Sequence, residues 1–321
     1  MKLKEHTLLP EMQFLCACCR VNPTAADMAT QTALAPVVDM GRLVVMARRH
    51  RVEPMLLYHL KRIEGIVWDE PSRDSLEKRV KRSTEKSLMS IKSNIELAHS
   101  MREQGIGFLP FKGVTLAQRY YGNISLRHAN DIDFWVPEEG IEPMRKLLSA
   151  RGGKVAPGAG YQEIERGRLH TRFLRRQYCE EAWDMPNGDH LEIHWRLTTN
   201  PHALRLNPNE VLKSGKKVLF GKHELTVMAE VPLLLYLCEH GARHGWYRLK
   251  WLFDLPQVLE GNRWDWEEVL SAAKRANCLS SLLLGLKLAE VLFGWNAPEL
   301  VSRTMQGCRL LDWQVGFVLR K

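Results

Sequence analysis

The sequence predicts an α+β fold, in which a mixed sheet with flanking helices sits between N- and C-terminal helical regions. Three observations lead there. Apolar residues recur every three or four positions in the first hundred residues and again after residue 230. Between these regions, residues 105 to about 228 carry short apolar runs of strand length punctuated by glycine. Within that stretch, Asn187-Gly188 joins two such runs, and this dipeptide is the strongest short hairpin signal. The expected division is an N-terminal helical region over 1–102, a core over 103–229 and a C-terminal helical region over 230–321.

The elements follow in order. After Asp39, the residues Leu43, Val44, Met46 and Ala47 fall on helical spacing, and Pro54 restarts the chain before Met55-Leu56-Leu57. Leu76, Val80, Thr84, Leu88, Ile91, Ile95 and Ala98 predict a long amphipathic helix over 73–102, with lysines and arginines on its solvated face. Residues 106–111 and 132–136 read as strands, 114–121 and 141–150 as helices, and 152–160 as a glycine-rich loop. Strands over 178–185 and 190–197 complete a β-α-β-α-β-β order. Four helices follow over 231–243, 246–260, 266–276 and 280–293, with breaks at Gly261-Asn262 and Asn277.

Composition sets the bounds. The 321 residues include 46 Lys+Arg against 37 Asp+Glu, a formal charge of +9, with 45% hydrophobic and 26% charged residues. That balance suits a globular chain and excludes wholesale disorder. The apolar run Val231–Cys238 is far short of the ~20 residues needed to span a bilayer, and no secretory signal is evident. Seven scattered cysteines read as reduced thiols, so a cytoplasmic protein without membrane partners is expected. The positive charge points to an anionic partner without choosing among nucleotide, nucleic acid and phosphorylated substrate. No Walker A pattern is present, and no Gly-x-Gly-x-x-Gly opens a helix, so P-loop and dinucleotide-binding readings are poor.

The chemistry concentrates at Asp131-Ile132-Asp133-Phe134-Trp135-Val136. In a strand, residues i and i+2 share a face, so Asp131 and Asp133 project together while Ile132 and Phe134 turn to a core. Adjacent carboxylates repel unless a hard cation lies between them. A bare Asp-x-Asp at a solvated strand start is common, and only its context raises it. Upstream, Lys112-Gly113 precedes a helix, a turn able to meet an anion. Downstream, Glu192 and His194 alternate with Leu191, Ile193 and Trp195, so Glu192 joins the aspartates if its strand neighbours theirs. Two metal ions held by such acids clamp both oxygens of an in-line phosphoryl displacement.

A strand, a turn and a helix, then Asp-x-Asp on the next strand and a third acid later, resemble the plan of the polymerase-beta-like nucleotidyltransferase superfamily. The closer resemblance is to a bacterial family of uncharacterised nucleotidyltransferases. It rests on Phe111-Lys112-Gly113, Tyr120-Tyr121, Leu126-Arg127, Asp131-Ile132-Asp133 and Leu191-Glu192-Ile193-His194-Trp195. It extends to His240-Gly241-Ala242, Trp246, Leu249-Lys250-Trp251-Leu252, Asp254 and the segment Ala47–Pro54, covering roughly residues 40 to 260. The resemblance implies a polymerase-beta-like core and a Mg²⁺-dependent enzyme, with Mn²⁺ as the alternative ion. It would move a nucleoside monophosphate from an NTP, ATP first, to an acceptor hydroxyl or phosphate and release pyrophosphate. Asp131, Asp133 and Glu192 would be catalytic and hold metal, while Lys112, Gly113, Thr115 and Arg127 would bind the nucleotide. The superfamily's usual Gly-Ser turn is here Lys112-Gly113-Val114-Thr115, which leaves Thr115 as the available hydroxyl. The acceptor, whether small molecule, peptide, protein or RNA, is not written in these motifs. The alternative is a non-catalytic nucleotide- or RNA-binding protein on the same fold.

Several features keep two readings. Arg127 either grips the triphosphate or fixes its loop by pairing with an acid. Arg166, Arg168, Arg172, Arg175 and Arg176 form either an anion clamp or a solvated hairpin. His240 and His244, four apart on a helix, suit zinc or simple packing, and Cys16, Cys18 and Cys19 lack a second ligand pair at zinc-site spacing.

Overall fold

The computed structural model describes residues 8–64, 66–129, 131–156 and 178–320. The elements are α1 (Pro10–Ala17), α2 (Ala25–Leu34), α3 (Met40–His50), α4 (Glu53–Leu60), α5 (Glu70–Glu103), β1 (Leu109–Pro110), α6 (Gly113–Leu116), β2 (Asp131–Trp135), α7 (Ile141–Ala150), β3 (Lys154–Val155), β4 (Glu180–Asp184), β5 (His190–His194), α8 (Pro208–Lys213), β6 (Lys216–Phe220) and β7 (His223–Val227). The chain then runs through α9 (Glu230–Arg243), α10 (Leu249–Glu260), α11 (Trp266–Arg275), α12 (Leu279–Phe293), α13 (Glu299–Gln306) and α14 (Leu311–Leu319). No helix among the described residues is long and apolar enough to cross a membrane. The fold class is α+β.

The chain divides into two compact units. One takes residues 1–84, 125–128 and 234–321, and the other takes 85–124 and 129–233.

The first unit is helical. Its core gathers Phe14, Leu15, Leu43, Met55, Leu56, Leu76, Phe253, Leu255, Leu282 and Leu286, all buried. Thr24 and Asp27 close a capping box that starts α2, the side chain of each accepting from the other's backbone N–H. Arg20, buried beside it, bonds Asp27 at 3.1 Å, Glu260 at 2.7 Å and the Phe293 carbonyl at 2.7 Å. One guanidinium thereby ties α1–α2 to the ends of α10 and α12. The sequence places a helix start at Trp246, yet α10 begins three residues later. Trp246 is left-handed (φ 52°) and its indole lies across Gly241 and Gly285. A Cβ on Gly241 would meet that ring at 2.3 Å, so the glycine is required by contact.

The second unit holds a five-stranded sheet in the order β1-β2-β5-β4-β3, and a separate β6–β7 hairpin. β2 and β5 run parallel, and the other pairs are antiparallel. One sheet face sends Ile132, Phe134, Leu191 and Ile193 into a core with Leu97, Ala98 and Met101 of α5 and Met144, Leu147 and Leu148 of α7. The acids of β2 and β5 therefore fall on the other face.

Several elements differ from expectation for local reasons. The strand expected over 106–111 shrinks to two residues, because the Ile106 N–H caps α5 by bonding the Met101 carbonyl and Pro110 has no N–H to give. The helix expected over 114–121 changes at Ala117 into a wider π turn that ends at left-handed Gly122. The loop expected over 152–160 contributes the short edge strand β3. The five arginines between 166 and 176 lie outside the described residues.

Candidate active site

The parallel register of β2 with β5 builds the site. Asp133 stands directly opposite Glu192, and Trp135 opposite His194. On the far side of β5, β4 places Glu180 opposite His194. Period-two alternation then puts Asp133, Glu192 and His194 on one face. Among the described residues they form the group of metal-ligand side chains within 4.8 Å of one another. Asp131 shares that face two residues earlier, outside the group.

Each member is held by named partners. His194 Nε2 lies 3.2 Å from Asp133 Oδ1 and 3.2 Å from Glu192 Oε2. Its Nδ1 lies 3.0 Å from Glu180 Oε2, which fixes the ring plane. The ring also meets Phe111 edge-on, with centroids 5.2 Å apart. Lys112 Nζ lies 2.5 Å from Asp133 Oδ1 and 3.7 Å from Glu192 Oε2, so the ammonium sits against both carboxylates.

Burial alone would raise the Asp133 pKa, but the Lys112 ammonium and the His194 ring hold it well below the usual carboxylate range. Burial and the Lys112 charge both push His194 down. Hydrogen bonds to Asp133, Glu180 and Glu192 outweigh them, so its pKa lies well above the ordinary value and the ring is an imidazolium at neutral pH. Buried Asp133 and half-buried Glu192 are thus neutralised from two sides.

The Lys112-Gly113 turn is positioned by backbone contact. Gly113 is left-handed (φ 58°), and a Cβ there would meet the Asp131 carbonyl oxygen at 2.9 Å. Only glycine lets the turn lie this close to the Asp-x-Asp strand. Thr115 Oγ1 donates to the Lys112 carbonyl at 2.6 Å and is buried, so its hydroxyl closes the turn. Arg127 belongs to the helical unit. It is buried and makes a bidentate pair with Asp254, from Nε at 2.7 Å and Nη2 at 2.8 Å, which is the loop-fixing arrangement.

His194 and Glu180 were not singled out from the sequence as site residues. A signal for both was present. Counting outward from Asn187-Gly188 pairs Asp184 with His190 and, four residues on, Glu180 with His194. The other metal-binding readings find no third ligand among the described residues. His240 and His244 pack with Trp251, each ring centroid 5.2 Å from the indole. Cys16, Cys18 and Cys19 are buried, and burial raises all three thiols, Cys16 to about 12.

Comparison with known proteins follows this geometry. A family model described as uncharacterised nucleotidyltransferase matches residues 36–294. No curated protein matches the chain. Among solved structures, the antibiotic-resistance factor ANT(2'')-Ia in solution is similar at 13% identity, covering 58% of this chain and 93% of that one, with a TM-score of 0.38. ANT(2'')-Ia in complex with adenylyl-2''-tobramycin is similar at 11% identity, covering 59% and 97%, with a TM-score of 0.35. At these scores the superposition is loose.

Proposed function

The chain belongs to the uncharacterised nucleotidyltransferase family and is a nucleotidyltransferase enzyme, and from that premise we propose its reaction and its working residues. A divalent cation, Mg²⁺ or Mn²⁺, serves the site, and a nucleoside monophosphate passes from an NTP, ATP first, to an acceptor. The acceptor oxygen forms a bond to the α-phosphorus, the bond from that phosphorus to the bridging oxygen breaks, and pyrophosphate leaves. The acceptor proton passes to a carboxylate, for which Glu192 is the candidate.

One observation carries this reading. Asp133 and Glu192 face each other across parallel strands, with an ammonium against both. A pair of acids that already takes a cation fits a divalent ion held by hard oxygen ligands. Asp133 and Glu192 would hold it, with Asp131 completing the acid set. Such an ion supplies charge neutralisation at the phosphates.

The chain's own groups do the rest. With Asp133 and Glu192 serving a metal, Lys112 would be the ammonium available to a phosphate oxygen, and Gly113 keeps the turn against β2 so that the chain can approach the triphosphate. Thr115 supports that turn. His194, pinned by Glu180, keeps both carboxylates ionised and oriented. Arg127 holds its own loop through Asp254. Catalysis in this scheme is positioning and charge neutralisation. We place the catalytic core at residues 103–229 and the enzyme in the cytoplasm.

The test is incubation with each α-labelled NTP, Mg²⁺ or Mn²⁺ and a cell extract, followed by identification of the labelled product. Asp133→Ala and Glu192→Ala are expected to lower label transfer and pyrophosphate release by ~10³-fold. Wild-type turnover in either variant would overturn the assignment.

A further inference from the structure

Beyond the acid row, the sheet unit holds a cavity of about 270 Å³ at the ends of β2 and β5, against the segment that leads into α8. Its wall is apolar and buried, built by Trp135, Trp195, Leu197 and Leu204. Trp135 belongs to the acid row as well. It lies two residues beyond Asp133 on β2, ~7 Å along the strand, and stands opposite His194. Its neighbours Phe134 and Val136 enter the core, so its side chain is on the acid face. The cavity therefore begins where the acid row ends.

The wall is fixed by contacts of its own. The Tyr178 carbonyl accepts from the Trp195 indole N–H at 3.1 Å and from Arg196 Nη2 at 2.8 Å. Leu204 is held left-handed (φ 48°), uncommon for a bulky residue, with its side chain buried. Such strain persists where the surroundings over-determine it, and ligand clamps are among those places. Two polar features of the wall are unused. Trp135 is 3% exposed, and a buried tryptophan usually finds a partner for its N–H, yet this one has none among the described residues. At the rim, exposed Arg205 lies 2.7 Å from His202 Nδ1 and pairs with no carboxylate among the described residues. No Asp or Glu is among the described residues that line the cavity.

We propose that this cavity binds the acceptor of the transfer, a small, planar, mostly apolar molecule that carries a carboxylate and a hydroxyl. The proposal rests on the reading of Asp133 and Glu192 as the metal-binding acids. The Gly113 turn, which would meet the triphosphate, lies against Asp131 at one end of the row. In-line displacement sets the attacking oxygen opposite the leaving pyrophosphate, so the acceptor enters from the other end, where Trp135 stands. The hydroxyl oxygen bonds the α-phosphorus as pyrophosphate leaves, and its proton passes to Glu192. Indole side chains suit a flat apolar body, and a guanidinium suits a carboxylate. The volume falls just under the ~300–1,000 Å³ of drug-sized sites, which favours a one-ring molecule over a peptide or RNA.

The test is calorimetric binding of para-hydroxycinnamate to the full chain without metal or nucleotide, which reads the cavity whether or not Asp133 and Glu192 catalyse transfer. The wild-type chain should bind it, and should bind its uncharged amide roughly ten-fold more weakly. Arg205→Gln should erase that difference and leave the amide's affinity unchanged. Ala203→Phe, at a half-exposed position lining the cavity, should fill the space and weaken both ligands by roughly ten-fold or more at a wild-type Tm. Saturating para-hydroxycinnamate should suppress label transfer to the extract's acceptor or take the label itself. The inference is overturned if the wild-type chain does not bind the probe or if Ala203→Phe binds as wild type. It is also overturned if adenosine displaces the probe, which would give the cavity to the donor's base, or if transfer to the extract's acceptor proceeds unaltered with the cavity filled. Absence of label transfer under every condition would instead overturn the catalytic reading and leave the binding result standing.

Discussion

His194 in the sheet unit and His128 in the helical unit are both substantially buried, yet their surroundings drive them to opposite charge states. His194 touches Asp133, Glu180 and Glu192 and is held protonated. His128 is surrounded by Arg51, Arg79, Arg127 and Lys250 and is held neutral. Burial acts in the same direction on both rings, so the neighbours decide the outcome. The contrast also separates two kinds of surroundings. In the sheet unit, buried Asp133 and half-buried Glu192 already carry cations, which is how a metal position looks when lysine and imidazolium serve it. In the helical unit, burial and the neighbouring cations keep the His128 ring uncharged.

The contrast can be broken most severely at Lys112. Lys112→Met removes the ammonium from Asp133 and Glu192. The metal affinity of the nucleotide-free protein should rise, measured by Mn²⁺ titration, while the KM for NTP rises by roughly ten- to a hundred-fold, the scale of one lost charge-assisted contact. If metal affinity is unchanged, Lys112 does not share the cation's position.

pH sharpens the comparison next. His128 and His50 have folded pKa values of about 3 and about 4, below the ordinary 6.5. Below pH ~6.5 the unfolded chain takes up protons that these rings refuse. Stability of the helical unit should therefore fall with acid, by up to ~1.4 kcal/mol per pH unit for His128 and by less for the more exposed, solvent-screened His50, until each folded pKa is reached. His194 is raised, so its share of stability is fully present below pH ~6.5 and is lost as pH climbs through its folded value. Denaturant unfolding across pH should show both slopes, and His128→Gln should flatten only the acid one. NMR of labelled histidines should find His128 neutral at pH 6 and His194 charged at pH 7. Identical titration of the two rings would remove the contrast.

A smaller effect is expected at the turn. Gly113→Ala forces an L-residue into φ 58° and a Cβ onto the Asp131 carbonyl. It should cost ~1–2 kcal/mol from the backbone alone, seen as a drop of a few degrees in Tm. Nucleotide affinity should fall further than stability, because the turn must retreat from β2. An alanine variant with wild-type Tm and KM would show the close approach to be unnecessary.

Much of this was legible in the chain because it is local. Period-two alternation put Asp131 and Asp133 on one face and Ile132 and Phe134 on the other, and Asn187-Gly188 marked the hairpin. The pairing of β2 with β5 was not legible. It joins residues about sixty positions apart through the sheet core, and it is what brings Glu192 opposite Asp133 and His194 beside both. Arg127 left two readings open in sequence, and its clamp on Asp254 reaches across 127 residues. The start of α10 was misplaced because Trp246 obeys a packing demand from Gly241 and Gly285 that no local pattern carries. The Thr24-x-x-Asp27 box and the β6–β7 hairpin, turning at left-handed Gly221, had local signals that stayed unread among stronger ones.

The central claim is that Asp133 and Glu192 bind the divalent ion of a nucleotidyl transfer. Electron paramagnetic resonance of Mn²⁺ with a non-hydrolysable NTP analogue tests it without knowledge of the acceptor. The account predicts tight Mn²⁺ binding by the wild-type chain and loss of at least ten-fold in affinity in Asp133→Asn and in Glu192→Gln, each still cooperatively folded, with the lower unfolding midpoint in Asp133→Asn, whose buried carboxylate pairs Lys112 and His194. Wild-type Mn²⁺ affinity in both variants would contradict it.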